Sequence, residues 1–175
     1  MKILHVFDHS IPLHSGYTFR SRAILEHQHE LGWQTEHVTS PKHNIAANPD
    51  SDEEIINGLR FFRTKAKTGI FMKLPILNQL AIISAIEKRL DEIIPVVKPD
   101  IIHAHSPALN GRAAIIAGKR HKIPVVYEIR AFWEDAAVDH LGVFLFGQTN
   151  SAAWATQCLV CRRCHKIGDF DRVVV

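Results

Sequence analysis

The chain has 175 residues, of which 46% are hydrophobic and 22% charged, and this length and composition suit one globular domain with a buried core. A net charge of +3, counted with twelve neutral histidines, excludes nucleic-acid binders of the strongly basic kind. No apolar run reaches the roughly 18–20 residues of a membrane span, and the start is too soon charged for a secretory signal, so we expect a cytoplasmic chain.

The predicted elements begin almost at the first residue. Residues 2–8 form a short apolar run of strand-forming residues, which predicts a first strand. After a loop, residues 17–31 carry apolar side chains near helical spacing, and Gly32 fits the position that follows a helix. Residues 33–39 then predict a second strand.

The middle of the chain predicts a loop, a third strand and a long helix. Residues 40–54 contain Pro, Asn and several acidic residues, which predict a loop with one helical turn at most. Residues 59–64 predict the third strand. The amphipathic pattern over residues 71–97 predicts the longest helix, which ends where Lys98-Pro99-Asp100 interrupts it.

The last predicted elements complete an alternation of strands and helices. Residues 100–106 and 123–130 predict strands, joined by a helix over residues 107–120. This alternation predicts a Rossmann-like, doubly wound α/β fold over residues 1–140, with a mainly parallel sheet and helices on both faces. Residues 141–175 form an atypical tail to which the pattern assigns no element.

Candidate functional residues follow the predicted strands. Ligands of open parallel sheets bind at the carboxyl ends of the strands, so the residues found there are the first candidates for a site. They are polar or charged after every strand. In chain order they are His9, His14, Ser15, Gly16, Lys42, His43, Arg63, Lys65, Lys67, His105, Ser106, Glu128 and Arg130.

Arg20 and Arg22 lie in the first turns of the first predicted helix, where the helix dipole disfavours cations by about a few tenths of a kcal/mol. A phosphate or carboxylate near Gly16 would compensate, because it would contact both the exposed helix amides and an arginine. The alternative is that both arginines are solvated surface side chains. Gly16 has a structural alternative as well, a turn that leads into the helix.

Nicotinamide cofactors are improbable in this domain. Their fingerprint needs three glycines after the first strand and an acid at the end of the second strand. The chain offers only Gly16 in the first loop, and its second strand ends in Thr39-Ser40. No cofactor is therefore expected.

Several motifs together resemble glycosyltransferase family 4, specifically its amino-terminal domain. They are the Lys-Ile-Leu-His-Val start, the glycine that opens the first helix, and segments 30–39, 99–106 and 123–128. More narrowly, residues 5–22 and 127–135 are similar to bacterial members associated with exopolysaccharide and exosortase systems.

The resemblance implies one half of a GT-B fold and a retaining, metal-independent transfer from a nucleotide-diphosphate sugar to a glycan or lipid-linked acceptor. It places Ser15 and Gly16 near the donor phosphates, with Arg20 as a further phosphate-binding residue. It implies a catalytic role for His105. It also places Glu128 and Arg130 on the acceptor side, near Trp133.

Structural alternatives remain for several of these residues. Glu128 could pair with Arg130 as a strand-end ion pair. His5 and His103 lie in the middle of strands and are expected to be core histidines with hydrogen-bond partners. His105 shares a strand face with His103, so its catalytic role depends on its terminal position and on the resemblance.

Two metal motifs receive little support from the sequence. The acid-x-acid spacing of Asp50 and Asp52 would suit a GT-A metal site, but no apolar strand leads into it, so a solvated loop is preferred. The tail string Cys158-Leu-Val-Cys161-Arg-Arg-Cys164-His165 contains a haem-attachment pattern and could hold a structural zinc. A frame change or truncation near residue 140 would also explain the tail.

The family's nucleotide-binding half has no counterpart in the 175 residues, so the chain alone is expected to be inactive or a poor catalyst. Hydrophobic surface left where that half would dock would favour a homodimer. A peripheral membrane surface is a further partner consistent with the family. The second hypothesis is a non-catalytic α/β module that binds an anionic ligand or a partner protein. It would act through the side that carries Arg20, Arg22, Arg63 and Lys65.

Overall fold

The computed structural model describes residues 1–47, 51–65, 75–130 and 172–174. The strands are β1 (Lys2–Phe7), β2 (Gln34–Thr39), β3 (Glu53–Ile56), β4 (Leu59–Arg63), β5 (Ile101–His105), β6 (Val125–Glu128) and β7 (Arg172–Val174). The helices are α1 (Gly16–Glu30), α2 (Pro41–Ala47), α3 (Pro75–Val97) and α4 (Ala108–His121).

The strands form one sheet in the order β3-β4-β2-β1-β5-β6-β7. Every neighbouring pair is parallel except β3 and β4. The chain adds strands on one side of β1 first and then on the other, so the order of connection reverses between β1 and β5. The predicted Rossmann-like, doubly wound fold is therefore confirmed.

The two faces of the sheet differ in polarity. The face under α3 and α4 is apolar, with Leu4 and Val6 of β1 packed among aliphatic side chains of both helices. The α1 face has a smaller apolar cluster around Phe7 and Leu25, and it also buries polar side chains such as His5. Buried polar groups need partners, so this face carries the hydrogen-bond networks of the molecule.

The prediction for residues 40–54 was wrong. The segment contains helix α2 and the first two residues of strand β3, which pairs antiparallel with β4. Asn57 and Gly58 form the tight turn between them with φ angles of 54° and 77°. Positive φ at both positions matches the two-residue hairpin turn that an Asn-Gly pair favours, so this dipeptide was the signal that could have identified β3.

The end of the chain lies mostly outside the described residues. Of the predicted tail, only β7 is described, and it pairs parallel with β6 at the edge of the sheet. The predicted domain boundary at residue 140 and the start of the long helix at residue 71 lie outside the described residues and stay predictions. Within the described segments, no helix is long and apolar enough to cross a membrane.

Candidate active site

A cleft lies at the carboxyl edge of the sheet, where β1 and β5 end. This is the switch point at which open α/β sheets bind their ligands. The cleft has a volume of about 380 Å³. Its lining residues are Asp8, His9, Gly16, Tyr17, Arg20, Ser106, Pro107 and Arg130. Five of the candidate residues from the sequence share this cleft: His9, Gly16, Arg20, Ser106 and Arg130.

Helix α1 begins at the edge of the cleft. The Ser15 hydroxyl caps it by accepting a hydrogen bond from the Thr18 amide at 3.1 Å, and His9 Nε2 lies 2.8 Å from the same oxygen. The first two amides of α1, those of Gly16 and Tyr17, make no hydrogen bond among the described residues. A Cβ atom at Gly16 would meet nothing within 4 Å, so packing does not require glycine there.

Arg20 extends from α1 over the cleft. Its Nη2 atom lies 2.9 Å from Glu128 Oε1, and 55% of its side chain is exposed, whereas Glu128 is buried. Arg22 points elsewhere and pairs with Glu26 one turn along the helix, at 2.7 Å. The two arginines that the sequence treats alike therefore differ, because only Arg20 presents its charge to the cleft.

Arg130 is held by protein groups on most of its guanidinium. Its Nε atom donates to Glu128 Oε1 at 3.1 Å, and its Nη1 atom donates to Ser21 Oγ at 2.8 Å. The guanidinium also lies over the Tyr17 ring, 4.4 Å from its centre. Only 7% of the Arg130 side chain is exposed. Arg130 therefore ties the end of β6 to α1, and Arg20 is the cation more accessible to a ligand.

Glu128 is a buried carboxylate that stays ionised. Burial alone would raise its pKa, but contacts with His103 and His105 and the charge of Arg130 outweigh burial and hold the pKa far below the usual range. Glu128 contacts Arg130 and also pairs with Arg20, which lines the cleft. Its role in ligand binding stays a prediction.

His105 lies under the cleft floor with no exposed surface. Its Nε2 atom is 2.9 Å from His5 Nδ1, and its Nδ1 atom is 2.8 Å from Glu128 Oε2 and 2.7 Å from Arg130 Nη2. Burial is the largest cause that lowers the pKa of His105 well below its usual value, and Glu128 only partly opposes it, so the ring is neutral. The catalytic role of His105 stays a prediction, and the ring reaches the cleft only through Glu128 and Arg130.

The prediction that Arg63 contributes to an exposed cationic surface was wrong. Its side chain is fully buried and crosses from β4 to the loop after β1, where it donates to Ser10 Oγ at 2.7 Å and to the Ile11 carbonyl at 2.9 Å. Glu54 neutralises it at 2.7 Å. Lys65 pairs with Asp52 instead of facing the cleft. The cationic side proposed for a binding module therefore does not exist as one surface.

We expect acid to destabilise the protein through His43, which accepts a hydrogen bond from the Ser10 amide. Burial first, then Arg63 and His9, lower the pKa of His43 to about 4, whereas an unfolded histidine titrates near 6.5. Because the folded pKa is the lower one, this contribution to stability is complete above about pH 6.5 and is lost as the pH falls towards 4. The free energy of unfolding should fall by about 2 kcal/mol between pH 7 and pH 5 from this group.

Urea unfolding of the natural protein and of His43→Gln at both pH values checks this expectation. Other titrating groups are common to the two proteins, so the difference between their unfolding free energies isolates His43. Parallel behaviour of the two proteins from pH 7 to pH 5 would contradict the assignment.

Sequence reasoning missed three residues of the site. Asp8 ends β1 at the cleft, and contacts with His9 and the charge of Lys42 outweigh burial and lower its pKa. Tyr17 directly follows Gly16 and forms a wall of the cleft under Arg130. Gln28, three turns along α1, contacts His5 Nε2 at 2.8 Å. The positions of Asp8 and Tyr17 beside predicted residues were a usable signal, but nothing in the sequence marks Gln28.

Of the metal motifs, only Asp52 lies among the described residues. It pairs with Lys65 at 2.8 Å and does not line the cleft, and Asp50 lies outside the described residues. The cysteine cluster, Trp133 and Lys67 also lie outside them.

A family model described as "Glycosyl transferase 4-like domain" matches residues 15–167 of the chain. The search of curated proteins found no match to this chain. Among solved structures, the sucrose-phosphate synthase of Thermosynechococcus elongatus is similar over 100% of this chain and 42% of that chain, with a TM-score of 0.64 and 13% identity. At that identity, the similarity shows the fold alone. The chain spans less than half the length of the synthase.

Two further solved structures show weaker similarity. A spinosyn rhamnosyltransferase matches 99% of this chain and 44% of that chain, with a TM-score of 0.49 and 12% identity. The UDP-GlcNAc 2-epimerase of Neisseria meningitidis matches 73% of this chain and 31% of that chain, with a TM-score of 0.46 and 19% identity. The chain thus spans less than half the length of each of these proteins.

Proposed function

The chain belongs to the glycosyl transferase 4-like family, and we propose that its cleft forms the acceptor-side wall of a retaining sugar-transfer site. The donor is a nucleotide-diphosphate sugar, and the acceptor is a glycan or lipid-linked hydroxyl, as in exopolysaccharide synthesis in the cytoplasm. The observation that carries the proposal is the exposed Arg20 beside the unpaired Gly16 and Tyr17 amides at the switch point.

This arrangement suits a diphosphate leaving group. As the bond between the sugar and the diphosphate breaks, negative charge grows on the phosphate oxygens. Helix amides and an arginine that already point at this charge stabilise it without reorganisation. The space beside Gly16 is open, since a Cβ there would have no protein neighbour within 4 Å. In this proposal the positive charge comes from the protein, and the transfer step uses no metal ion.

His105 enters the proposal as a positioning residue. It contacts Glu128 and Arg130; Glu128 in turn contacts Arg20, and Arg130 lines the cleft. Its neutral ring therefore sets the orientation of the charged groups that face the ligand. The Asp8 carboxylate at the same edge could accept a hydrogen bond from an acceptor hydroxyl.

The opposite wall of the site belongs to a second, nucleotide-binding half, as the 42% coverage of the sucrose-phosphate synthase suggests. The test mixes the chain with a separately expressed carboxyl-terminal domain from a glycosyltransferase of the same family. A panel of nucleotide-diphosphate sugars is then assayed for nucleoside-diphosphate release and for sugar transfer to glycan and lipid-linked acceptors. We expect turnover in the mixture and little or none with either part alone.

The same assay distinguishes the alternative function. Binding of a nucleoside diphosphate to the chain without transfer in any mixture would favour a non-catalytic module. Transfer in the mixture that is unchanged when the chain is left out would show that this chain does not take part.

A further inference from the structure

Three histidines lie together on the α1 face of the sheet, beneath the cleft, and one of them, His105, is the positioning residue of the proposed transfer site. We call His5, His103 and His105 the histidine cluster. His5 of β1 is the register partner of His103 in β5, and His105 follows two residues later on the same face. One ring nitrogen from each residue lies within 4.8 Å of the other two. From this geometry we propose that the histidine cluster binds a divalent transition-metal ion such as Zn²⁺, Co²⁺ or Ni²⁺.

The outer ring nitrogens of two members already face oxygen acceptors. His5 Nε2 lies 2.8 Å from Gln28 Oε1, and His105 Nδ1 lies 2.8 Å from Glu128 Oε2. Metal-bound histidines nearly always donate their second N–H to a carboxylate or carbonyl oxygen in this way, which orients the ring and fixes its tautomer.

With both outer nitrogens as donors, the two inner nitrogens can act together as ligands of one cation. If both outer nitrogens donate, each neutral ring presents a lone pair on its inner nitrogen. Those inner atoms, His5 Nδ1 and His105 Nε2, are 2.9 Å apart. Without a metal, one inner nitrogen carries a hydrogen. If it is His5 Nδ1, then His5 Nε2 must accept from the Gln28 side-chain amide; if it is His105 Nε2, then His105 Nδ1 accepts from Arg130 Nη2 at 2.7 Å and turns a lone pair towards Glu128.

His103 supplies the third ring of the histidine cluster, and its Nε2 atom faces Glu128. Its Nε2 atom is buried, makes no hydrogen bond among the described residues and lies 3.4 Å from Glu128 Oε2. The ring of His103 stacks on that of His105 with centres 4.1 Å apart. Its side chain is also 17% exposed, so the histidine cluster meets solvent at His103.

The distances between the ring nitrogens of the histidine cluster can be compared with those between the ligand atoms of a bound zinc ion. Zn–N bonds of about 2.0–2.1 Å place two tetrahedral ligands about 3.3–3.4 Å apart. The 2.9 Å pair must therefore open slightly, and the third nitrogen must approach by rotation of the His103 ring. Imidazole nitrogens favour late first-row metals over Mg²⁺ or Ca²⁺, which prefer oxygen ligands.

The test uses the full chain with Cys158→Ser, Cys161→Ser and Cys164→Ser, because thiolates would bind the same metals. After treatment with a chelator, the protein is titrated with Co²⁺, followed by visible absorption, and with Zn²⁺, followed by calorimetry. We expect one equivalent of metal per chain, a Co²⁺ spectrum of nitrogen and oxygen ligands, and a higher melting temperature.

Substitutions test whether the metal ion binds at the histidine cluster. His103→Leu should weaken Zn²⁺ binding by more than about 100-fold, and Gln28→Leu, which removes only the acceptor for His5, by about 10- to 100-fold. His29→Ala, which changes an exposed histidine of the same helix as Gln28, should leave binding unchanged. Circular dichroism confirms that each variant is folded. Absence of stoichiometric binding in the cysteine-free chain would overturn the proposal, as would equal losses in His103→Leu and His29→Ala.

Discussion

Replacing Arg20 with methionine should lower sugar transfer by the reconstituted enzyme about 100-fold, a loss typical for removal of one preorganised charge-stabilising donor. The side chain is 55% exposed at the cleft and makes its ion pair with Glu128 at only one atom, so it can turn to a ligand. Its loss should cost less than about 1 kcal/mol of stability, because it is an exposed partner and Glu128 keeps its contacts with Arg130 and His105.

Arg22→Met is the matched control for this experiment. Arg22 is an exposed arginine on the same helix and also pairs with one carboxylate, Glu26, but it does not line the cleft. Its replacement should change transfer by less than about twofold, as for most surface substitutions. Rates are measured as nucleoside-diphosphate release, and stability by urea unfolding. Equal losses of transfer in both variants would show that Arg20 acts through general surface charge and not through the cleft.

Replacing Arg63 with methionine should lower the free energy of unfolding by about 3 kcal/mol, because it breaks a buried ion pair from one side. Methionine keeps much of the volume against Phe61 but leaves Glu54 and Ser10 Oγ without the Arg63 donor and removes one of the two donors to the Ile11 carbonyl. Since these partners hold the loop that precedes α1, we also expect the loop to lose protection from proteolysis.

Arg60→Met provides the control on the same strand. Arg60 also pairs with a carboxylate of β3, Glu53, and also lies over an aromatic ring, that of Phe62, but its side chain is exposed. The cost of this change should be below about 1 kcal/mol. Urea unfolding of both variants measures the difference. If Arg63→Met lowers the free energy of unfolding no more than Arg60→Met does, burial of the ion pair adds nothing to stability.

Most of the fold could be predicted because its signals are local. The apolar run of β1 and the helical spacing of α1 each lie within one segment of chain, and strands that alternate with helices allow few arrangements. The boundaries of β1, α1 and β5 differ from the structure by one residue or so. The β3–β4 hairpin was missed because four charged or polar residues precede Ile55, although the Asn57-Gly58 pair marked its turn.

The site was predicted less well, because residue type and strand position do not reveal burial. Arg20 and Arg63 both follow the pattern of a cation near a strand or helix end, yet one is exposed at the cleft and the other is buried beneath the loop. Burial depends on which segments pack over a residue, and for Arg63 these are the loop after β1 and the hairpin partner β3. Neither contact has a signature in the sequence around Arg63.

By itself, the sequence determined the doubly wound architecture and the edge of the sheet at which polar residues gather. Both follow from periodicity and from the rule that parallel strands end together. Only the tertiary structure decided that Arg20 faces the cleft, that Arg130 is held by protein groups, and that three histidines from β1 and β5 meet beneath them. The physical reason is that these contacts join segments about 100 residues apart, such as His5 and His105, whose distance depends on strand order and register.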